Sequence, residues 1–160
     1  METEIDLLDC RQVPRVERMK KEDFRELKKL EQIVEKLDRD LDSVIVEGYD
    51  DRKAMKKLGF TGKIFLSAEK TIEDLVEDVA RGSERTAVLT DFDEHGKKQN
   101  REISHALQGK VKNSVSSRRE FGKQLTSRGR HAVEDVRPLF QDKDQKFVEA
   151  ALSRLYTFEK

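Results

Sequence analysis

The chain has 160 residues, enough for one domain with a real hydrophobic core and a small appendage. Hydrophobic residues make up 35% and charged residues 41%, so a compact core must sit beneath a heavily charged surface. No apolar run reaches membrane-spanning length and the opening METEIDLLDC is acidic, unlike a secretory signal, so the expectation is a soluble, cytoplasmic protein with no membrane partner.

Cys10 is the only cysteine, which excludes an internal disulfide and a multi-cysteine zinc site. His95, His105 and His131 show no metal-ligand spacing with each other or with Cys10. The net charge of +0 hides an uneven distribution. Acids dominate from Phe65 to Gly96, opposed only by Lys70, Arg81 and Arg85. From Lys110 to Arg130 the balance reverses, with Glu120 the single acid. A neutral average therefore does not argue against a polyanionic partner.

The first twenty residues contain Pro14 and little periodicity and read as an extended or mobile arm. From Lys21 to Leu41, Phe24, Leu27, Leu30, Ile33, Val34, Leu37 and Leu41 recur at three- and four-residue spacing, an amphipathic helix that packs on the domain. Val44, Ile45 and Val46 form a short unalternating run, the pattern of a strand covered on both faces. The stretch DDRKAMKKLGF predicts a short helix ending near Gly59, and Ile64 to Leu66 a second strand. Thr71 then reads as a helix cap, with Ile72, Leu75, Val76 and Val79 facing inward. TAVLTD is the third strand, and Gly96 to Leu107 the third crossover helix. KVKNSVSS reads as an edge strand or a loop, the basic stretch beyond it as helical up to Thr126, and Asp144 to Leu155 as a closing helix. Strands alternating with helices predict an α/β fold: a mostly parallel, Rossmann-like sheet of about four strands with helices on both faces. The division expected is an N-terminal arm and helix over 1–41, a core over 42–109, and a basic C-terminal extension over 110–160 packed on that core.

In such a sheet ligands bind beyond the carboxyl ends of the strands. Acids fall at two of these ends: Glu47 after the first strand, and Asp91 and Asp93 after the third. Two readings fit the closely spaced pair. Asp93 caps the following helix and Asp91 is a polar strand end, or a cation sits between two carboxylates that would otherwise repel. All the candidate ligands are oxygen donors, which favours Mg²⁺ or Mn²⁺ over zinc. Gly48 and Gly96 would allow close backbone approach to a phosphate. An aspartate-nucleophile phosphatase also uses Asp-x-Asp, but there the pair usually follows the first strand, and Glu47 would be left unexplained. GFTGK lacks the spacing of a P-loop.

VIVEGYDD, followed some forty residues later by VLTDFDEHGKK, resembles the two signature motifs of the Toprim domain: Glu-Gly after a first strand and Asp-x-Asp-x-x-Gly after a later one. The wording is similar to that of 5S ribosomal RNA maturation nucleases and small stand-alone Toprim proteins, and the likeness, shared with the Toprim domain of bacterial-type primases, spans roughly Asp42 to Leu107. The resemblance implies Glu47 as general acid or base, Asp91 and Asp93 as Mg²⁺ ligands, and Asp51 as a further acid. It implies a metal-dependent nuclease acting on structured RNA or DNA. The alternative is a non-catalytic nucleic-acid-binding or adaptor module in a larger complex or a homo-oligomer. Beside such a core, Lys97, Arg118, Arg119 and Lys123 are the expected contacts to nucleic-acid phosphates.

Overall fold

A computed structural model describes residues 15–140, with side chains described from Lys21 onward. The expected closing helix from Asp144 to Leu155 and the first fourteen residues lie outside the described residues.

Helix α1 (Arg15–Asp40) leads into strand β1 (Ser43–Val46), helix α2 (Tyr49–Lys57) and strand β2 (Lys63–Leu66). A 3-10 turn (Ser67–Glu69) precedes helix α3 (Ile72–Gly82), strand β3 (Arg85–Val88) and helix α4 (Glu94–Leu107). The two-residue strand β4 (Lys112–Asn113), helix α5 (Val115–Ser127) and a 3-10 turn (Val133–Val136) follow. Helix α1 starts six residues earlier than the apolar stripe predicts, because RVERMK is rich in strong helix formers and extending an existing helix is easy. Phe24, expected on the buried stripe, is largely exposed, with Lys28 Nζ 5.5 Å from its ring centre.

The four strands form one parallel sheet in the order β2-β1-β3-β4. Ile45 pairs with Phe65 on one side and Val88 on the other, so β1 is central and buried throughout. Alternation along the strands feeds two cores. Val44, Val46, Ala87 and Leu89 pack with α1, α2 and α5 through Leu30, Val34, Met55, Phe121 and Leu125. Ile45 and Val88 face the opposite way, onto Leu75, Val76 and Val79 of α3 and Ile103 and Leu107 of α4. The first core draws on residues from all three expected stretches, from Leu27 through Val46 to Val133, and joins them in one hydrophobic unit. Among the described residues no helix is long and apolar enough to cross a membrane.

Candidate functional site

The chain leaves β1 toward β2 on one side and returns to β3 on the other. The sheet order therefore reverses between β1 and β3, the place where an open α/β sheet leaves a crevice at its carboxyl edge. Glu47 follows β1 directly, and Asp91 and Asp93 lie in the loop that leaves β3. The fold brings these three distant acids to one rim.

Their arrangement differs from two carboxylates side by side on an extended strand. Asp93 is the N-cap of α4, its Oδ1 accepting the Gly96 N–H at 2.8 Å. Asp91 instead meets Glu47. Burial, followed by the hydrogen-bonding contact and charge of Glu47 and then the charges of Asp51 and Asp93, pushes the Asp91 carboxyl up to about 7. Glu47 Oε2 is buried with no hydrogen-bond partner among the described residues. Asp51 is engaged differently. Its Oδ2 accepts the Gly48 N–H at 3.1 Å and its Oδ1 the Glu134 N–H at 2.9 Å, so it ties the turn after β1 to the chain near Val133. Burial raises its pKa as well. Among the described residues no three His, Cys, Asp or Glu side chains converge as a ready-made metal cluster. The centre is the Glu47–Asp91 pair, with Asp93 half-committed to its helix and Asp51 to backbone amides.

The loop carrying Asp91 is held from several directions. The Leu89 N–H donates to Ile45 O at 2.7 Å, and the Phe92 N–H to His131 O at 2.6 Å. Arg118, expected at a phosphate, is only 9% exposed. Its Nη1 donates to the carbonyls of Val88 (3.0 Å) and Thr90 (2.8 Å), and its Nη2 to that of Asp91 (3.1 Å). Its guanidinium carbon lies 4.3 Å from the centre of the Phe92 ring. Desolvation lowers its pKa to about 10, against the opposing charge of Asp91. Arg118 therefore clamps the site loop from beneath, because the strand-end carbonyls need donors and a planar fork supplies several at once.

The two glycines also separate. A Cβ on Gly96 would fall 1.9 Å from the Asp91 carbonyl oxygen, so the packing of α4 against the loop itself requires a bare residue there. Gly48, at φ −137 and ψ −177, has ordinary extended backbone, and a Cβ there would meet only Asp51 Oδ2, at 3.9 Å.

The expected cations gather in one place. Lys97, Arg119 and Lys123 line an open groove of about 480 Å³ together with Phe92, Val115 and the Arg118 clamp. Arg128 and Arg130, from the same basic run, turn to α1. Arg130 makes a 2.9 Å bond to buried Glu26, and Arg128 lies 3.8 Å from the same carboxylate. Sequence reasoning missed the clamp and the missing room around Gly96, since neither burial nor loop packing shows in residue type.

No family model matches the chain. A UPF0292 protein of Pyrococcus furiosus is 31% identical over 119 residues, which cover 74% of this chain and 89% of that protein. A UPF0292 protein of Thermococcus sibiricus is 27% identical over 114 residues, 71% of this chain and 89% of that one. The solved structure of a putative protein from Aquifex aeolicus matches 68% of this chain and 95% of its own, with a TM-score of 0.56 at 21% identity, a likeness of fold alone. Identity and coverage together place the sequence among these archaeal relatives: the chain belongs to the UPF0292 family.

Proposed function

We propose that the rim between β1 and β3 is a Toprim-type, Mg²⁺- or Mn²⁺-dependent phosphodiester site, and that the protein is a nuclease acting on RNA or DNA. The observation that carries this reading is the Glu47–Asp91 pair, two carboxyl groups packed together with Glu47 Oε2 left without a partner. A buried carboxylate oxygen without a donor is a destabilising arrangement unless something cationic or a proton completes it. Oxygen-only donors suit a hard divalent ion. Asp91 and Asp93 would hold that ion, the helix cap using only Oδ1 of Asp93. Bound there, it would polarise a phosphoryl oxygen as a Lewis acid. Glu47 Oε2 is the atom set to take the proton of an attacking water as the phosphorus–oxygen bond to the leaving group breaks. Arg118 and the Phe92–His131 bond keep the loop fixed, so the carboxyl groups need little reorganisation.

A second reading, a binding module that keeps the acids for metal-bridged phosphate contact, is favoured by the commitment of Asp93 to its helix. Labelled structured RNA and duplex DNA incubated with the protein, with Mg²⁺, with Mn²⁺ or with chelator, separate the two. The nuclease reading expects metal-dependent cleavage that Glu47→Gln abolishes while nucleic-acid affinity stays nearly intact. Metal-dependent binding without cleavage across the panel favours the module, and absence of both defeats the site.

A further inference from the structure

Three large apolar side chains are exposed among the described residues, Phe24, Tyr49 and Val115, and two of them stand at the catalytic rim. Tyr49, 60% exposed, opens α2 two residues after Glu47. Val115, 59% exposed, opens α5 immediately beyond the carboxyl end of β4. The carboxyl edge of the sheet thus presents apolar surface on both sides of the acids.

Each surface is paired with cations. Lys53 Nζ lies 4.7 Å from the centre of the Tyr49 ring. Val115 and Phe92 share their groove with Lys97, Arg119 and Lys123, and among the described residues none of these three has a carboxylate within ion-pair distance. The Phe92 ring, only 8% exposed, is the buried floor of that groove and leaves Val115 as its exposed apolar group. The ring stacks over Arg118, and a Cβ on Gly122 would come within 2.5 Å of it.

Resting on the reading above, we propose that the site takes unpaired nucleotides: one base against Tyr49, a neighbouring nucleotide in the Phe92–Val115 groove, and the phosphate between them at the acids. Flat apolar rings flanked by anionic phosphates are the ligand chemistry that matches apolar surface rimmed by unpaired cations. A duplex keeps its bases stacked inside and offers such surfaces only backbone. The shared chemistry is that of single-stranded RNA or single-stranded DNA.

The test is fluorescence anisotropy of the full chain with Mg²⁺ present and Glu47→Gln as the background, which prevents cleavage while keeping the metal, with labelled ten-nucleotide probes. Each probe is made as RNA and as DNA, in three forms: single strand, blunt duplex, and the same strand with abasic positions. The expected result is that the single strand binds about tenfold tighter than the duplex or the abasic strand. Tyr49→Ala should weaken single-strand binding about fivefold or more, the loss expected for one base stack, and leave duplex binding unchanged. Val115→Ser should act in the same direction by about threefold. Both positions are exposed, so a folded variant is expected, and circular dichroism checks it. Equal binding of all three forms would overturn the base-accepting role and leave the nucleic-acid reading standing. Binding of none of them at low salt would overturn both.

Discussion

Gly48 is the N-cap of α2 and Gly96 sits in the first turn of α4, and the fold asks different things of them. An alanine at Gly96 would drive its methyl into the Asp91 carbonyl, and backbone cannot swing aside as a side chain does. Gly96→Ala should therefore destabilise the protein by about 1–3 kcal/mol or more and lower the melting temperature clearly. At Gly48 the backbone suits any residue and the nearest atom is at ordinary contact distance. Gly48→Ala should leave the melting temperature unchanged or slightly raised, since it narrows the unfolded ensemble. If its bareness exists for a phosphate, the same variant should bind oligonucleotides measurably more weakly. Thermal melts beside anisotropy titrations check both, and a Gly48→Ala protein with full affinity would remove the phosphate from that position. Asp91 supplies a second prediction at this scale. Its folded pKa is raised from 3.8 to about 7, so across that window the folded protein holds a proton that the unfolded chain releases. Stability from this group is greatest below the window and declines as pH rises through it. In chelator, Asp91→Asn should gain stability relative to the parent progressively from acid to neutral pH. Parallel melting curves that keep a constant offset across that range would mean Asp91 does not carry the shared proton.

At the scale of elements, the sequence was readable wherever one physical pattern governed a segment. Val44 to Val46 announce a strand buried on both faces because a central parallel strand has no solvent side. Thr71 does cap α3, its hydroxyl accepting from the Asp74 N–H at 3.2 Å. The Asp93 cap and the carboxylate centre, which compete as readings of one motif, turn out to divide the acids between them. Asp93 serves the helix while Asp91 meets Glu47, because the chain after β3 turns into α4 instead of staying extended. That turn could not be read from spacing, which assumes the strand continues to Asp91. It stops at Val88. The edge strand at Lys112 was half-legible for a related reason: two residues of pairing to β3 leave almost no apolar pattern, and Ser114 caps α5 at once by accepting from Ser117 N–H. Arg118 was illegible as a clamp because an arginine in a basic run looks the same whether it faces water or three carbonyls. Its burial is decided by where α5 lies against β3, a tertiary fact.

Across the whole molecule, balanced charge conceals a division that matters for any polyanion. The acids at the rim would repel a phosphate backbone unless cations lie alongside. The groove of Lys97, Arg119 and Lys123, next to the loop that carries Asp91, supplies them. Three other cations of the basic run do not contribute in the same way, because Arg130 and Arg128 are drawn to Glu26 and Arg118 is enclosed. Contacts to phosphate release condensed counterions, so each should add about 0.7 to the log–log salt slope on a single strand and about 0.9 on duplex DNA. Replacing Lys97, Arg119 and Lys123 together by alanine should flatten the slope by about 2–3, weaken all nucleic-acid sequences alike, and leave the melting temperature close to the parent's. Arg118→Ala should behave in the opposite manner. It strands the Val88, Thr90 and Asp91 carbonyls, so it should lower the melting temperature, with a stability loss of about 1–3 kcal/mol for each orphaned group at most. It should change the salt slope little at temperatures where the protein stays folded. Titrations at four salt concentrations, run beside thermal melts, decide the matter. A triple variant with the parent's slope would show that these three cations only face water, and the polyanion would then have to cross the rim by a different path.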